Sequence, residues 1–163
     1  MAGLTTVRVV LVDDDPLVRA GLRLILGGAH DLDVIAEASD GQDAVDVVLR
    51  EAPDVVLMDI RMPGMDGLAA TRRLLDRGSP ARILVLTTFD TDDMVVTALS
   101  YGAAGFLLKD TLPADLVDAV RRVAAGQPIL SPSVTARLIA TVTRPRDEAV
   151  QRSARARLAR LTD

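Results

Sequence analysis

Five short apolar runs recur along the chain, and each is followed by a segment with the periodicity of an amphipathic helix. The runs occupy residues 7–12, 34–38, 55–58, 83–86 and 105–108. Their length and continuous apolar character predict strands that are buried on both faces. Strands that alternate with helices in this way predict an α/β fold, in which a doubly wound parallel sheet carries helices on both faces.

Capping and turn residues mark the ends of the predicted helices. Asp15 followed by Pro16 predicts an N-cap and a first helical residue, and Gly27-Gly28 predicts the end of that helix. Similar signals predict helices from 41 to before Pro53, from about 66 to 76, from the acidic cluster of Asp90, Asp92 and Asp93 to near 102, and from 113 to 126.

The two ends of the chain differ from this central pattern. Residues 1–6 are predicted to be a loose leader, 7–126 the folded domain, and 127–163 a linker or helical extension. Ser131 can cap one more helix, and the segment from residue 144 is rich in arginine, at positions 144, 146, 152, 155, 157 and 160. We interpret these arginines as a solvated helix face and not as a DNA contact.

Composition narrows the possible chemistry. The 163 residues are 49% hydrophobic and 26% charged, as in ordinary globular domains. Cysteine is absent and His30 is the one histidine, which excludes thiol catalysis, disulfides and multi-histidine metal sites. The net charge of −4 gives no overall indication of nucleic-acid binding, which a strongly basic chain would give. Without a membrane-length apolar run or a signal-peptide pattern, a cytoplasmic protein is expected.

Polar residues stand where four of the predicted strands end. Asp13 and Asp14 follow the first strand, Asp59 the third, Thr87 the fourth and Lys109 the fifth. The carboxyl ends of parallel strands lie along one edge of a sheet, and ligands bind there in open α/β folds. We therefore expect these distant positions to converge in one pocket, with Asp59 as its chemical centre.

Charge repulsion restricts what this pocket can bind. Two carboxylates about 4 Å apart repel by roughly 4 kcal/mol at an effective dielectric constant near 20. Three carboxylates facing Lys109 alone therefore require either protonation or a divalent cation. All-oxygen ligation with retained water favours Mg²⁺. A carboxylate nucleophile, a hydroxyl, an ammonium and Mg²⁺ together suit phosphoryl transfer.

The sequence resembles the receiver domains of two-component response regulators over residues 7–126. The resemblance is carried by Val12-Asp13-Asp14, by the segment Asp59-Ile60-Arg61-Met62-Pro63-Gly64-Met65-Asp66-Gly67, by Thr87, and by Phe106-Leu107-Leu108-Lys109. It implies a flavodoxin-like fold with strand order 2-1-3-4-5. It also implies a regulatory phosphoacceptor that is not an enzyme, a sensor histidine kinase as partner, and a homodimer after phosphorylation.

The resemblance further implies a role for each residue of the pocket. Asp59 would accept the phosphoryl group, and Lys109 would contact it. Asp14 and Asp59 would hold Mg²⁺ together with the backbone carbonyl of Arg61, while Asp13 would support the acidic cluster. Thr87 and Phe106 would form a switch pair, with Phe106 turning inward from solvent into space vacated by Thr87.

A narrower resemblance, to the branch with a LuxR-type helix-turn-helix, rests on fewer residues. It is carried by residues 12–22, by Leu108-Lys109-Asp110 and by the final segment 158–163. It implies transcriptional control through an output domain beyond this chain, and hence no sequence-specific DNA binding by the chain itself.

Two other functions fit part of the pattern. In a haloacid dehalogenase-like phosphatase Asp13 would be the nucleophile, but no strand with a further acidic pair is predicted after Lys109, and Asp59 would be left without a role. A pseudo-receiver that only binds other proteins would have no need of the whole set of acidic residues, Thr87 and Lys109.

Overall fold

The computed structural model describes residues 6–88, 92–127 and 129–130, with the side chains at 92, 93 and 130 excepted. Its strands are β1 (Val7–Val12), β2 (Leu32–Ala38), β3 (Val55–Met58), β4 (Arg82–Thr87), β5 (Gly105–Leu108) and β6 (Ile129–Leu130). Its helices are α1 (Pro16–Gly27), α2 (Gly41–Glu51), α3 (Gly67–Asp76), α4 (Asp92–Ser100) and α5 (Pro113–Ala124).

The strands form one parallel sheet in the order β2-β1-β3-β4-β5-β6. The predicted order 2-1-3-4-5 is thus confirmed. Successive side chains of a strand point to opposite faces, and β1 shows this directly. Val9 and Leu11 pack with α1 and α5, whereas Val10 and Val12 pack with α2, α3 and α4. The two cores lie on opposite faces, so the carboxyl edge of the sheet stays available for a site.

Aspartates begin the first three helices, as their sequence positions suggest. The carboxylate of Asp15 accepts a hydrogen bond from Leu17 N at 2.9 Å, which confirms it as the N-cap of α1. Asp40 accepts from Asp43 N, and Asp66 accepts from Ala69 N, each at 2.8 Å. These caps satisfy N–H groups that have no partner within their helices. Each of these three helices therefore begins at a residue that its aspartate cap defines.

The sheet extends beyond the boundary predicted at residue 126. Ile129 pairs with Gly105 and Leu130 with Phe106, so a sixth strand lies beside β5 where the sequence indicated a linker. A two-residue strand has too little pattern to be seen in a sequence, because its hydrogen bonds come from a distant partner. Gly105 is part of the reason for this close pairing: a Cβ there would lie 2.3 Å from the Ile129 carbonyl oxygen.

Several predictions concern residues outside the described ranges. They include the placement of Asp90, the side chains of Asp92 and Asp93, residues 1–5 of the predicted leader 1–6, the cap at Ser131 and the arginine-rich segment 144–160. Within the described part of the chain, every helix is too short or too polar to cross a membrane.

Candidate functional site

Backbone hydrogen bonds between neighbouring strands continue for one residue beyond the strand ends. They fix the positions of the candidate site residues. Asp13 N donates to Ala38 O at 3.1 Å, and Asp59 N donates to Val12 O at 2.9 Å. Lys109 N donates to Thr87 O at 2.8 Å. Residues from four separate regions of the sequence are therefore held along one edge of the sheet, as predicted.

Lys109 brings two of the carboxylates together. Its Nζ lies 2.6 Å from Asp13 Oδ2 and 3.4 Å from Asp59 Oδ2. Asp13 Oδ1 accepts from Asp15 N, and Asp59 Oδ1 accepts from Ile60 N, each at 2.9 Å. Asp13 is held more tightly, because both of its oxygens have close partners. The Oδ2 atom of Asp59 has the longer contact with the ammonium.

Three carboxylates form a candidate metal centre. Asp13, Asp14 and Asp59 each offer one oxygen, and these oxygens lie within 4.8 Å of one another. Asp13 and Asp59 are buried, whereas Asp14 is exposed and lines an open groove of about 640 Å³ together with Arg61. An all-oxygen cluster beside a water-accessible groove fits a hard divalent cation that keeps part of its water shell.

Burial and neighbouring charge shift two ionisable groups of the site. Burial raises the pKa of Asp59 above its usual value of 3.8; the charge of Asp13 acts in the same direction, while Lys109 opposes it. Burial disfavours the charged form of Lys109, but the hydrogen bond to Asp13 and the charges of Asp59 and Asp13 outweigh it. The pKa of Lys109 is therefore raised above 10.5, which keeps the ammonium protonated at neutral pH.

The loop after Asp59 packs directly against the backbone of that residue. Gly67 N donates to Ile60 O at 2.8 Å, so α3 begins beside the end of β3. A Cβ on Gly67 would lie 1.9 Å from the Asp59 carbonyl oxygen, and a Cβ on Gly41 would lie 2.2 Å from the Met65 carbonyl oxygen. Glycine at these two positions is what permits the loop to close on the site.

The proposed switch residues are both inside the protein. Thr87 is buried as the last residue of β4, and Phe106 is fully buried among residues of the α2–α4 face. Phe106 is therefore already inside the protein in this conformation, and its inward turn from solvent on phosphorylation stays a prediction. The sequence could not reveal this, because the rotamer of a strand residue depends on packing from other elements.

Asp13 is poorly placed for the nucleophilic role that a haloacid dehalogenase-like phosphatase requires. It is 1% exposed, and both of its oxygens accept short hydrogen bonds. In the described residues after Lys109, the one strand is Ile129–Leu130, which contains no acidic residue.

The sequence did not indicate any role for Arg19 at this site. Its Nη1 donates to the carbonyl oxygen of Asp13 at 2.5 Å, and its Nε donates to Glu37 Oε1 at 2.9 Å. Only the spacing of four residues after Asp15, which places Arg19 one turn into α1, could have suggested that it faces the site.

A profile of the response regulator receiver domain matches residues 9–121, which is more than half of the chain. The chain belongs to the response regulator receiver domain family. The acidic residues at the carboxyl edge of the sheet, Asp13, Asp14 and Asp59, all lie within the matched range. Nothing in the comparisons with known proteins favours the phosphatase or the pseudo-receiver.

The receiver domain is similar to curated regulators of the LuxR and NarL type. It is 41% identical over 133 residues to the transcriptional regulatory protein LiaR of Bacillus subtilis, covering 82% of this chain and 63% of LiaR. It is 38% identical over 134 residues to the nitrate/nitrite response regulator NarL of Escherichia coli, covering 82% of this chain and 62% of NarL. The chain thus spans less than two thirds of the length of these two relatives.

Solved structures show the same fold. The receiver domain of a putative NarL from Mycobacterium tuberculosis is 41% identical with a TM-score of 0.73, covering 76% of this chain and 99% of that one. A LuxR-family response regulator from Aurantimonas is 34% identical with a TM-score of 0.81, covering 85% and 99%. The chain is therefore a receiver domain of the NarL/LuxR type.

Proposed function

We propose that Asp59 accepts a phosphoryl group. The observation that carries this proposal is the position of the Asp59 carboxylate, which lies within the three-carboxylate cluster and 3.4 Å from the Lys109 ammonium. The looser contact of its Oδ2 leaves that oxygen better placed to react than the tightly paired oxygens of Asp13. Lys109 neutralises charge on the incoming phosphoryl oxygens.

The proposed transfer is a displacement at phosphorus. Asp59 Oδ2 forms a P–O bond while the P–N bond of a phosphohistidine donor breaks, and the leaving imidazole takes up a proton. Asp14 and Asp59, with Asp13 in support and the Arg61 carbonyl as a further ligand, would hold Mg²⁺. When bound, Mg²⁺ supplies positive charge to the phosphoryl oxygens. The Thr87 hydroxyl donates a hydrogen bond to one of these oxygens.

The wider role that we propose is transcriptional control in a two-component system. A sensor histidine kinase supplies the phosphoryl group, the phosphorylated domain self-associates, and an output domain contacts DNA. Support comes from the relatives, which include a transcriptional regulatory protein and a nitrate/nitrite response regulator. The chain itself performs at most self-phosphorylation from small phosphodonors and the reverse hydrolysis, which is why we class it as a regulator and not as an enzyme.

Intact mass measurement after incubation with Mg²⁺ and acetyl phosphate tests the acceptor. The wild type should gain the mass of one phosphoryl group, and Asp59→Asn should gain none, because the nucleophilic oxygen is lost. Asp46→Asn, on the exposed surface of α2, is the matched control and should label normally. Chelating Mg²⁺ should stop labelling of the wild type.

Two results would contradict the proposal. Labelling of Asp59→Asn together with its loss in Asp13→Asn would favour Asp13 as nucleophile. Undiminished labelling in the presence of chelator would show that the acidic cluster does not need a cation.

A further inference from the structure

Arg19 contacts the backbone of the acidic cluster and not its carboxylates. Its Nη1 lies 2.5 Å from the Asp13 carbonyl oxygen, and its Nε lies 2.9 Å from Glu37 Oε1 on β2. The side chain is 18% exposed, against 49% for Arg23 one turn later on α1. Such a partly buried guanidinium, with two acceptors in fixed directions, is a geometric restraint as well as a charge.

The bond to Asp13 acts on two carboxylates at once. The Asp13 carbonyl belongs to the peptide unit that joins Asp13 to Asp14, just past the end of β1. A peptide unit is planar and turns as one body, so a hydrogen bond to its carbonyl restrains the orientation of the link between the two flanking Cα atoms. Asp13 N is already fixed by Ala38 O at 3.1 Å. With the carbonyl also held, the backbone from which both carboxylates project has little freedom to rotate.

Glu37 holds the Arg19 guanidinium in this orientation. Its carboxylate bridges two arginines, with Arg19 Nε 2.9 Å from Oε1 and Arg23 Nη2 2.6 Å from Oε2. Burial of Glu37 works against its charge, but the hydrogen bonds from Arg23 and Arg19 hold the pKa of Glu37 below its usual range. The bridge is therefore charged at neutral pH, and Arg19 stays aimed at the Asp13 carbonyl.

We propose that Arg19 is a positioning residue for the metal site, which orients the Asp13–Asp14 peptide so that both carboxylates can serve Mg²⁺. The inference rests on the proposed function, since it assumes that this cluster binds the cation. Arg19 acts through the backbone and touches neither the cation nor the reacting atoms. Its side chain thus has the role that outer-shell groups have at other metal sites, where their loss weakens affinity by about 10–100-fold.

The sign of the effect distinguishes positioning from simple electrostatics. A guanidinium that acted only through its positive charge would repel a divalent cation, so its removal would leave Mg²⁺ affinity unchanged or increase it. A guanidinium that orients the ligands has the opposite effect, because its removal lets the peptide between Asp13 and Asp14 rotate away from the binding geometry.

Titration of the unphosphorylated protein with Mg²⁺, followed by NMR of the Asp13–Asp15 amides, measures this affinity without any reaction. Arg19→Gln should weaken Mg²⁺ binding by about 10-fold or more. Arg23→Gln is the matched control, because Arg23 donates to the same Glu37 and to the Val34 carbonyl but not to the Asp13 backbone. It should bind Mg²⁺ with an affinity within about twofold of wild type. Both variants lose an ion pair to Glu37, so their thermal stabilities should fall by similar amounts.

A conservative variant covers the case in which Arg19→Gln does not fold. Arg19→Lys keeps the charge and the aliphatic stem, but a single ammonium cannot reproduce the fork that reaches Glu37 and the carbonyl together. It should recover only part of the affinity. Arg19→Lys with wild-type affinity, Arg19→Gln with unchanged or tighter binding, or equal weakening in Arg23→Gln would each overturn the positioning role.

The same titration separates this inference from the function on which it rests. A wild type that binds no Mg²⁺ would refute the metal site, and with it both proposals. A wild type that binds Mg²⁺ and is labelled by acetyl phosphate, beside an Arg19→Gln variant of equal affinity, would refute the inference alone.

Discussion

Asp59 sits in an environment that disfavours its charged form. Burial raises its pKa and the charge of Asp13 raises it further, while the ammonium of Lys109 compensates for only part of this. An acid whose pKa is higher in the folded state than in the unfolded state reduces stability once it ionises. That reduction is complete above the folded-state pKa, and it disappears as the pH falls below the unfolded-state value near 3.8.

Replacing Asp59 should therefore stabilise the apo-protein. In chelator at pH 7 we expect Asp59→Asn to unfold at a temperature a few degrees higher than wild type, corresponding to on the order of 1 kcal/mol. The difference should shrink as the pH is lowered toward 3.8, because the wild-type carboxyl then becomes protonated. Thermal melts across this pH range provide the measurement, with Asp46→Asn as an exposed control. A less stable Asp59→Asn at neutral pH would mean that the contact with Lys109 outweighs burial.

How much of the site was predictable differs from residue to residue. Asp13, Asp14, Asp59, Thr87 and Lys109 could be assigned to the sheet edge because each stands at the end of an apolar run. The contact of Arg19 with a backbone carbonyl and the buried rotamer of Phe106 could not, because both depend on side-chain geometry between elements. Local pattern thus locates the groups of the site, and tertiary packing determines how they are oriented.

At the scale of elements, the beginning of α3 depends on how closely it approaches β3. Gly67 N bonds to Ile60 O, and a side-chain carbon at Gly67 would overlap the Asp59 carbonyl. The same type of restriction does not apply to every glycine in a helix. Gly21 lies within α1, and a Cβ there would meet no other atom within 4 Å. Two chemically identical substitutions should consequently have opposite effects.

Gly67→Ala should destabilise the protein by about 1–3 kcal/mol, because the backbone of Asp59 or α3 must move. It should also slow labelling by acetyl phosphate, since the moved backbone carries the phosphoacceptor. Gly21→Ala should instead stabilise by roughly 0.5–1 kcal/mol, because alanine loses less backbone entropy in a helix, and should label like wild type. Chemical denaturation and intact mass measure both effects. Normal labelling of Gly67→Ala would show that α3 can yield without disturbing Asp59.

Bounds of elements were predictable to the extent that their signals are local. β1 and β5 have the residues that the apolar runs indicate, and α1 begins at Pro16 behind its Asp15 cap. β2 begins at Leu32, two residues before the predicted start at 34, because its pairing with Val7 adds residues that lack a continuous apolar run. β6 was harder still to predict from local signals, because only its pairing with β5 defines it as a strand.

At the scale of the whole molecule, the site borders only part of the structure. Thr87 ends β4, which contacts α5, and Lys109 follows β5, which contacts α4. A phosphoryl group on Asp59 would contact the Thr87 hydroxyl and the Lys109 ammonium. We therefore expect the resulting conformational change to affect α4 and β5. By contrast, β2 lies at the other edge of the sheet, on the far side of β1, and α2 makes contacts with β2.

Hydrogen exchange with and without a beryllofluoride mimic of the phosphoryl group should show this asymmetry. We expect altered amide protection in α4 and β5, little change in α2, and a partial increase in self-association by sedimentation velocity. The effect should be partial because a ligand shifts an equilibrium only by its differential affinity for the two states. Thr87→Ala removes the hydroxyl and should abolish the change in protection while still allowing labelling, whereas Thr87→Ser keeps the hydroxyl and should retain it. Identical exchange in the wild type with and without the mimic would show that this domain does not couple Asp59 to its α4–β5 face.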